Sequence, residues 1–444
     1  MPLVIDLMPL GSVVKPTRPR VKPADHPALR FIGMEHIEAH TMKLLGTVAA
    51  ATMKSSGVHF KPGDVLYGRL RPYLNKVYRP AFEGLCSAEF IVLPETERLD
   101  GKYLQYFLNS GAFVRFASHL NAGDRPRVDF DQIAAHEIPL PGVDVQRRIV
   151  AEIEKQFSRL DEAVANLRRV KANLKRYSDA VLSDAVAGHP VLEARNSEAP
   201  GRLSAESLLW QVEARRREAW TGRAQYKTGT APALTARRHL PPNWTLASLD
   251  ALSTKITSGS RDWARFYGKG SSIFVLAQNV RPMMPDFSTT QVVDPPANDP
   301  ARARSRLQRG DLMVTIVGAN TGQACLVEAL PSEAFVCQSV ALVRPAMLEM
   351  APYLNLWLNS PEHGQRYFAA CMYGQGRPHL GFEQLAEAPI PVPPLAEQHR
   401  IVAEVDRRLS IVREVEAEVD TNLNRAQALR QVVLQTAFAR KPLA

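Results

Sequence analysis

Arginine, lysine, amide and aromatic side chains gather in the loop-rich parts of this sequence, and the chemistry they share is contact with a polyanion. In the first half they are Arg69, Arg71, Tyr73, Asn75 and Lys76, followed by Arg125 and Arg127. In the second half they are Ser258, Ser260, Arg261, Trp263, Arg265 and Lys269, then Gln278, Asn279 and Arg281, then Asn320 and Thr321, then Arg377 and His379. Guanidinium, ammonium and hydroxyl groups meet phosphates, while arginine on guanine and asparagine or glutamine on adenine are the pairings that read bases. The mixture fits double-stranded DNA read by loops. The plainer reading at each single position is a surface charge that touches nothing.

Other chemistry lacks its signatures. Gly318-Ala-Asn-Thr-Gly322 is without the Gly-Lys-Ser/Thr of a phosphate loop, and Gly268-Lys-Gly270 is too short a fragment of a dinucleotide fingerprint. Asp294-Pro-Pro-Ala297 begins like the tetrapeptide of amino-methyltransferases but ends without the stacking aromatic. No acidic and lysine set is placed like a nuclease site, and the histidines read as surface or packing residues. The four cysteines, Cys86, Cys325, Cys337 and Cys371, form no CxxC pair and have no histidines at zinc spacing, so they read as structural thiols of a reducing cytoplasm. No catalytic and no metal-binding residue is assigned, and no cofactor is assigned to this chain.

The loops must be held by something, and the sequence states its framework twice. Ile138-Pro-Leu-Pro-Gly-Val-Asp-Val-Gln-Arg-Arg-Ile-Val-Ala-Glu-Ile153 returns as Ile390-Pro-Val-Pro-Pro-Leu-Ala-Glu-Gln-His-Arg-Ile-Val-Ala-Glu-Val405. Proline gives no amide hydrogen and fixes φ, so Pro139 and Pro141, like Pro391, Pro393 and Pro394, mark a strand end passing into a helix start. A two-fold repeat follows.

The chain has 444 residues, room for about three units at the usual size of a domain. Lys plus Arg at 55 against Asp plus Glu at 45 gives a net charge of +10, a balance that favours polyanions or acidic surfaces. No window approaches the roughly 18 apolar residues of a membrane span and no signal peptide is seen, so the expectation is a cytoplasmic protein without membrane contact.

Along the chain, residues 1–143 read as a mixed α/β domain with strands at Phe31–Ile37, Asp64–Leu70 and Phe90–Leu93 and a helix around Tyr103–Leu108. Residues 144–187 change character. Val150, Ile153, Phe157, Leu160, Val164, Leu167, Leu174, Val181 and Ala185 keep a three-and-four spacing, with Lys171 and Ser178 on the same seam. That spacing predicts a coiled-coil helix about 60 Å long. Residues 188–240 are a linker with a short helix at Ala205–Trp220, a mobile stretch Thr221–Arg238, and an arginine triplet, Arg215 to Arg217, that reads more readily as a solvated helix face than as a DNA contact. Residues 241–394 repeat the first domain, with Gly310-Asp311 for Gly63-Asp64, Cys337 for Cys86, Tyr353 for Tyr103 and Arg377-Pro378 for Arg125-Pro126. Residues 395–440 repeat the rod through Val402, Val405, Leu409, Val412, Val419, Leu423, Ala426, Val433 and Ala437, with Glu416 and Arg430 as polar intruders. Two rods of matching length are expected to pair antiparallel, since each supplies the other's missing seam. The alternative is that each binds another protein.

The doubled Ile-Pro-x-Pro…Gln-x-Arg-Ile-Val segments, each ahead of a heptad helix, resemble the two conserved regions of type I restriction-modification specificity subunits. Phe31–Ile37, Gly63–Asn75 and Ile256–Arg261 are similar to stretches of that family's target-recognition domains. The resemblance implies a non-catalytic DNA reader with two mixed α/β target-recognition domains separated by two long antiparallel coiled-coil helices. It further implies two docked methyltransferase subunits and outer restriction/translocase subunits, with S-adenosylmethionine, ATP and Mg belonging to those partners. The second domain opens on Leu240-Pro-Pro-Asn-Trp244 and the first, at Asp6-Leu-Met-Pro-Leu-Gly11, lacks that tryptophan, so its first strand is expected to be trimmed or packed differently. Loop residues differ between the copies, which implies an asymmetric split target. Competing readings are a stand-alone nucleic-acid enzyme with an unrecognised site and a coiled-coil scaffold with no DNA role.

Overall fold

The prolines of the repeated segments mark the passage from strand to helix, although Pro391, read as a strand end, lies one residue inside its strand. In the computed structural model, which describes residues 6–17, 20–188, 204–222, 225–230, 232 and 240–439, the strand Glu137–Pro139 gives way to a helix Val143–Ala187, and Pro389–Val392 to a helix Leu395–Ala437. The chain divides into two compact units, Met1–Val170 with Glu418–Ala444, and Lys171–Ala417. Each unit therefore takes in part of both long helices.

In the first unit a five-stranded sheet runs Arg20–Val21, Gly57–Phe60, Gly84–Ser87, Arg30–Ile32, Val48–Ala49, and a three-stranded sheet runs Val77–Tyr78, Val65–Gly68, Phe90–Leu93. In the second a four-stranded sheet runs Ser253–Ser258, Val340–Pro345, Leu312–Thr315, Ala324–Leu326, and a three-stranded sheet runs Gln291–Val293, Tyr267–Val275, Ala334–Val336. The repeat is visible in the ladders. Phe31 pairs in parallel with Leu85 as Phe274 does with Phe335, and Val65 pairs antiparallel with Leu93 as Leu312 does with Val343. This register corrects one match: Ile32 faces Cys86 and Val275 faces Val336, so the counterpart of Cys86 is Val336 and not Cys337. The cysteines are free thiols, and burial pushes those of Cys86, Cys325 and Cys337 up.

The same residues close both repeats. Tyr103 donates its hydroxyl to the Pro139 carbonyl at 2.7 Å, and Tyr353 does so to Pro391 at 2.8 Å. The glutamine of each repeated segment is fully buried and turns back to the proline carbonyl before its own helix, Gln146 Nε2 to Pro141 at 2.7 Å and Gln398 Nε2 to Pro393 at 2.9 Å. The first strand of the first unit, Leu7–Pro9, pairs with Glu137–Pro139, and Thr245–Ser248 pairs with Pro389–Val392, so the expected trimming amounts to one residue.

Within the first unit the two long helices run antiparallel: as the first passes Phe157 and Asp161, the second passes Leu434 and Arg430 in the reverse order. Ile153, Phe157 and Leu434 make one apolar cluster. Arg430, an intruder on the apolar seam, lays its guanidinium 4.8 Å from the Phe157 ring centre and pairs with Asp161. Mid-helix seam residues of the first helix, Leu160, Val164, Leu167 and Leu174, are half-buried, while Val412, Val419 and Ala426 of the second are buried. At the helix ends the globular part also covers the stripe, and there Ile401 and Leu434 are buried beside the seam residues Val402 and Val433, which are half-buried against the same clusters.

In the second unit the helix Ala205–Glu218 buries Leu208 and Val212 in the main core. Of its arginine triplet only Arg216 is buried; Arg215 and Arg217 lie on the solvated face the sequence suggested. Buried Arg216 donates Nε to the Ser253 carbonyl at 2.9 Å and pairs with Glu213 and Asp250, while Arg217 pairs with Glu213 and Arg215 with Glu218. The stretch expected to be mobile lies partly outside the described residues; its described part is mostly exposed and is held at Tyr226, whose Oη donates to Glu213 at 2.8 Å.

His136 in the first unit lies flat on Phe116, ring centres 4.3 Å apart, with Phe107 and Phe113 beside it. Burial lowers its pKa from the usual 6.5, outweighing the opposite pull of Glu137. The folded unit thus resists a proton that the unfolded chain accepts, so this contribution to stability is whole above pH 6.5 and is lost as pH falls below it. Thermal melting of the full chain across that range should show the acid-side decline shrink in His136→Phe. An identical decline in both proteins would assign the effect elsewhere.

Candidate nucleic-acid interface

Each unit ties two of the candidate loops together with the same three backbone contacts. In the first, Leu70 bridges Arg127, Arg71 N donates to the Pro126 carbonyl at 2.7 Å, and Val128 N donates to Arg69 O at 3.0 Å. In the second, Val317 bridges His379, Gly318 N donates to the Pro378 carbonyl at 3.0 Å, and Leu380 N donates to Ile316 O at 2.9 Å. Residues 69–76 and 121–128 are thus one surface, and 316–323 and 373–380 are its copy.

Several charges of the first surface are already balanced. Arg69 is paired with Asp129, Arg127 with Glu89, and Lys76 donates Nζ to the Met34 carbonyl at 2.6 Å. Arg71 and Arg125 have no carboxylate partner among the described residues, and Arg71 keeps a buried Nε without an acceptor. Tyr73 is 45% exposed beside them. Asn75 is a correction to the sequence reading. It is 2% exposed, with its amide nitrogen turned inward to the Asn109 carbonyl, because the left-handed backbone at φ 46° folds it under the loop.

The second surface sorts in the same way. Arg261, Arg265, Lys269, Gln278, Arg281 and Arg377 are exposed, with Arg265 lying 4.8 Å over the Phe266 ring. Ser258, Ser260, Asn320 and His379 are half-buried; Ser260 Oγ accepts from Asp262 N at 3.1 Å, and His379 stacks on Tyr373 at 5.8 Å. Thr321 spends its hydroxyl on the Gly318 and Pro378 carbonyls. Two further corrections fall here. Trp263 is 1% exposed, packed on Phe274 and Phe335 with Nε1 bonded to Asp299 at 2.8 Å; Asn279 is 2% exposed and ties Leu276 N to the Asp286 and Thr289 carbonyls. Both side chains face the core, where their apolar surface or hydrogen bonds are satisfied. Tyr373, 59% exposed next to Arg377, was missed; its signal was an aromatic before Gly374-Gln-Gly376.

At two positions of positive φ the second surface has glycine and the first does not. Gly318 has φ +113° with open space where a Cβ would stand, and the residue in its place in the first unit is Arg71 at φ 53°. An arginine so held costs about 1–3 kcal/mol, and the proline that follows it, Pro72, would otherwise favour extended backbone. Asn75 likewise stands where the second unit has Gly322 at φ +92°, but asparagine tolerates that region.

Among the described residues no group of three or more His, Cys, Asp or Glu side chains could hold a metal ion, and no helix is long and apolar enough to cross a membrane. What the arrangement offers is two basic, loop-built faces on duplicated α/β units with paired long helices.

That architecture is the fold of the type I restriction HsdS subunit. The chain aligns over 99% of its length with a chain solved in work on complex assembly and conformational transition of the type I R-M system, at TM-score 0.70, 20% identity and 98% of that chain. The HsdS subunit from Thermoanaerobacter tengcongensis follows at TM-score 0.52, 20% identity, covering 99% of this chain and 97% of that one. In sequence the chain is similar to the type I restriction enzyme EcoDI specificity subunit of Escherichia coli, 28% identical over 203 residues, 44% of this chain and 45% of that protein. The EcoBI specificity subunit of Escherichia coli is 31% identical over 136 residues, 30% of this chain and 28% of that protein. The EcoKI specificity subunit of Escherichia coli (strain K12) is 21% identical over 367 residues, 81% of this chain and 68% of that protein. The chain spans under half the length of the first two relatives it matches. No family profile matches it. The resemblance read from the repeated segments is thus to the same proteins that share its sequence and fold.

Proposed function

We propose that this chain is the DNA-binding specificity subunit of a type I restriction-modification complex. On this reading it is non-catalytic and acts in the cytoplasm. Each unit reads one half of a split, asymmetric target, and the paired helices dock two methyltransferase subunits, with restriction/translocase subunits joining outside. S-adenosylmethionine, ATP and Mg belong to those partners. The observation that carries the reading is the doubled loop surface: the same three backbone contacts in both units present Arg125 and Arg377 at equivalent places, amid otherwise different side chains.

Selection from random duplexes by the full chain with its modification subunit tests it, and a motif in two separated halves is expected. Uniform recovery of all sequences would reject the reading. Because Arg125 and Arg377 recur where the neighbours do not, their role is the sequence-blind one of meeting phosphate. Arg125→Ala and Arg377→Ala should each weaken binding about equally for all sequences and lower the salt dependence by about one counterion. A changed motif in either variant would contradict that assignment.

A further inference from the structure

Arg71 is out of place by the logic of its own repeat. The turn it opens is closed by Leu74 N to Arg71 O at 2.8 Å, and the matching turn by Thr321 N to Gly318 O at 3.1 Å, so the two backbones solve the same problem. The second unit solves it with glycine, which takes a positive φ freely. The first retains arginine there, directly before a proline, with no carboxylate partner among the described residues and one guanidinium nitrogen buried without an acceptor. Arg69 also buries an Nε without an acceptor, but it and Arg127 are neutralised by Asp129 and Glu89, so the missing carboxylate is what sets Arg71 apart. The turn's backbone is held by Arg71 N to Pro126 O and Leu74 N to Arg71 O, but the guanidinium gains no charge partner inside the chain, so a strained arginine kept there calls for a ligand outside it.

We infer that Arg71 is a specificity-determining residue of the first unit, reading the paired acceptors of a guanine, and that the second unit has no counterpart to it. The inference rests on the DNA-binding reading above. It separates two roles on one surface: Arg125, shared in kind with Arg377, holds the duplex, and Arg71 discriminates. The left-handed backbone is what aims the guanidinium, since the extended conformation favoured before proline would turn the side chain to another direction.

The test is Arg71→Gly in the full chain, with its modification subunit, against random duplexes. Glycine keeps the turn, so the variant should melt no lower than wild type. The expected result is a motif that loses a guanine in one half and keeps the other half intact, with affinity for the original target reduced about tenfold or more and affinity for unrelated duplexes little changed. A motif that keeps every guanine, or an equal loss on all sequences, overturns the inference while leaving the proposed function standing. A wild-type chain that shows no split motif sinks the proposed function itself, and this inference with it. Arg71→Asn, which also suits a positive φ, should reproduce the loss; retention of the guanine by that variant would count against the guanidinium.

Discussion

Removing residues 160–166 together with residues 425–431 is expected to bring the two halves of the recognised sequence about 3 base pairs closer. The two segments face each other within the first unit, as the Asp161–Arg430 pair shows, so the deletion takes both partners of that contact at once. One heptad from each helix preserves the apolar frame: Leu167 moves into the place of Leu160, and Val433 into that of Ala426. Seven residues at 1.5 Å make about 10 Å, which is about three steps of 3.4 Å along a duplex. Each long helix is continuous, Val143–Ala187 and Leu395–Ala437, and on the proposed reading their length sets the gap. Three base pairs also turn the duplex by about 100° at the usual 10 to 10.5 per turn. The shortened protein should therefore bind its best new target more weakly than wild type binds its own. Mapping methylated positions, or sequencing selected duplexes, measures the gap; an unchanged gap would rule out the helices as its determinant. Deleting either segment alone throws the seam out of register and should cost stability as well as binding.

How far residue types could be read from the sequence depended on whether direction mattered. The repeat was legible because proline and glycine act on their own backbone: Pro139 ends one strand, Pro393 and Pro394 follow the end of the other at Val392, and Gly63 and Gly310 adopt φ +96° and +87°, wherever the side chains of their neighbours point. The rods were legible because a seam needs only spacing. Where a second surface covers the helix, spacing alone is incomplete: Ile401 is buried beside the expected Val402, which is half-buried against the same core. The loop residues were least legible. Arg69 and Arg127 look like free cations until the fold brings Asp129 and Glu89 to them from far along the chain. Trp263 and Asn279 carry side chains suited to DNA contact, yet both point inward, one into an aromatic cluster and one into a turn. The left-handed backbone of Arg71 has no sequence signal of its own; only the glycine in the other copy exposes it.

Substituting leucine for the repeated glutamine should have very unequal effects in the two units. Gln146 makes three hydrogen bonds from a fully buried position: Nε2 donates to the Pro141 carbonyl at 2.7 Å and the Arg98 carbonyl at 2.8 Å, and Oε1 accepts from Asp100 N at 2.9 Å. That last bond holds the start of the helix Gly101–Asn109, which carries Tyr103 and hence the second tie to Pro139. Leucine leaves three backbone groups without their partner, and the expected cost to the first unit is about 3–5 kcal/mol. Gln398 makes only the bond to the Pro393 carbonyl and buries its Oε1 with no donor. Leucine there loses one bond but also removes an unsatisfied acceptor, so the expected cost is about 1 kcal/mol or less. The tryptophans make the comparison readable. All five, Trp210, Trp220, Trp244, Trp263 and Trp357, lie in the second unit, so their emission follows that unit while far-ultraviolet circular dichroism follows both. In urea, Gln146→Leu should move part of the dichroism transition to lower denaturant and leave the tryptophan transition in place, and Gln398→Leu should move neither by much. Equal shifts from the two substitutions would mean that the oxygen of Gln146 does not anchor the helix, and that the asymmetry between the repeats lies in another contact.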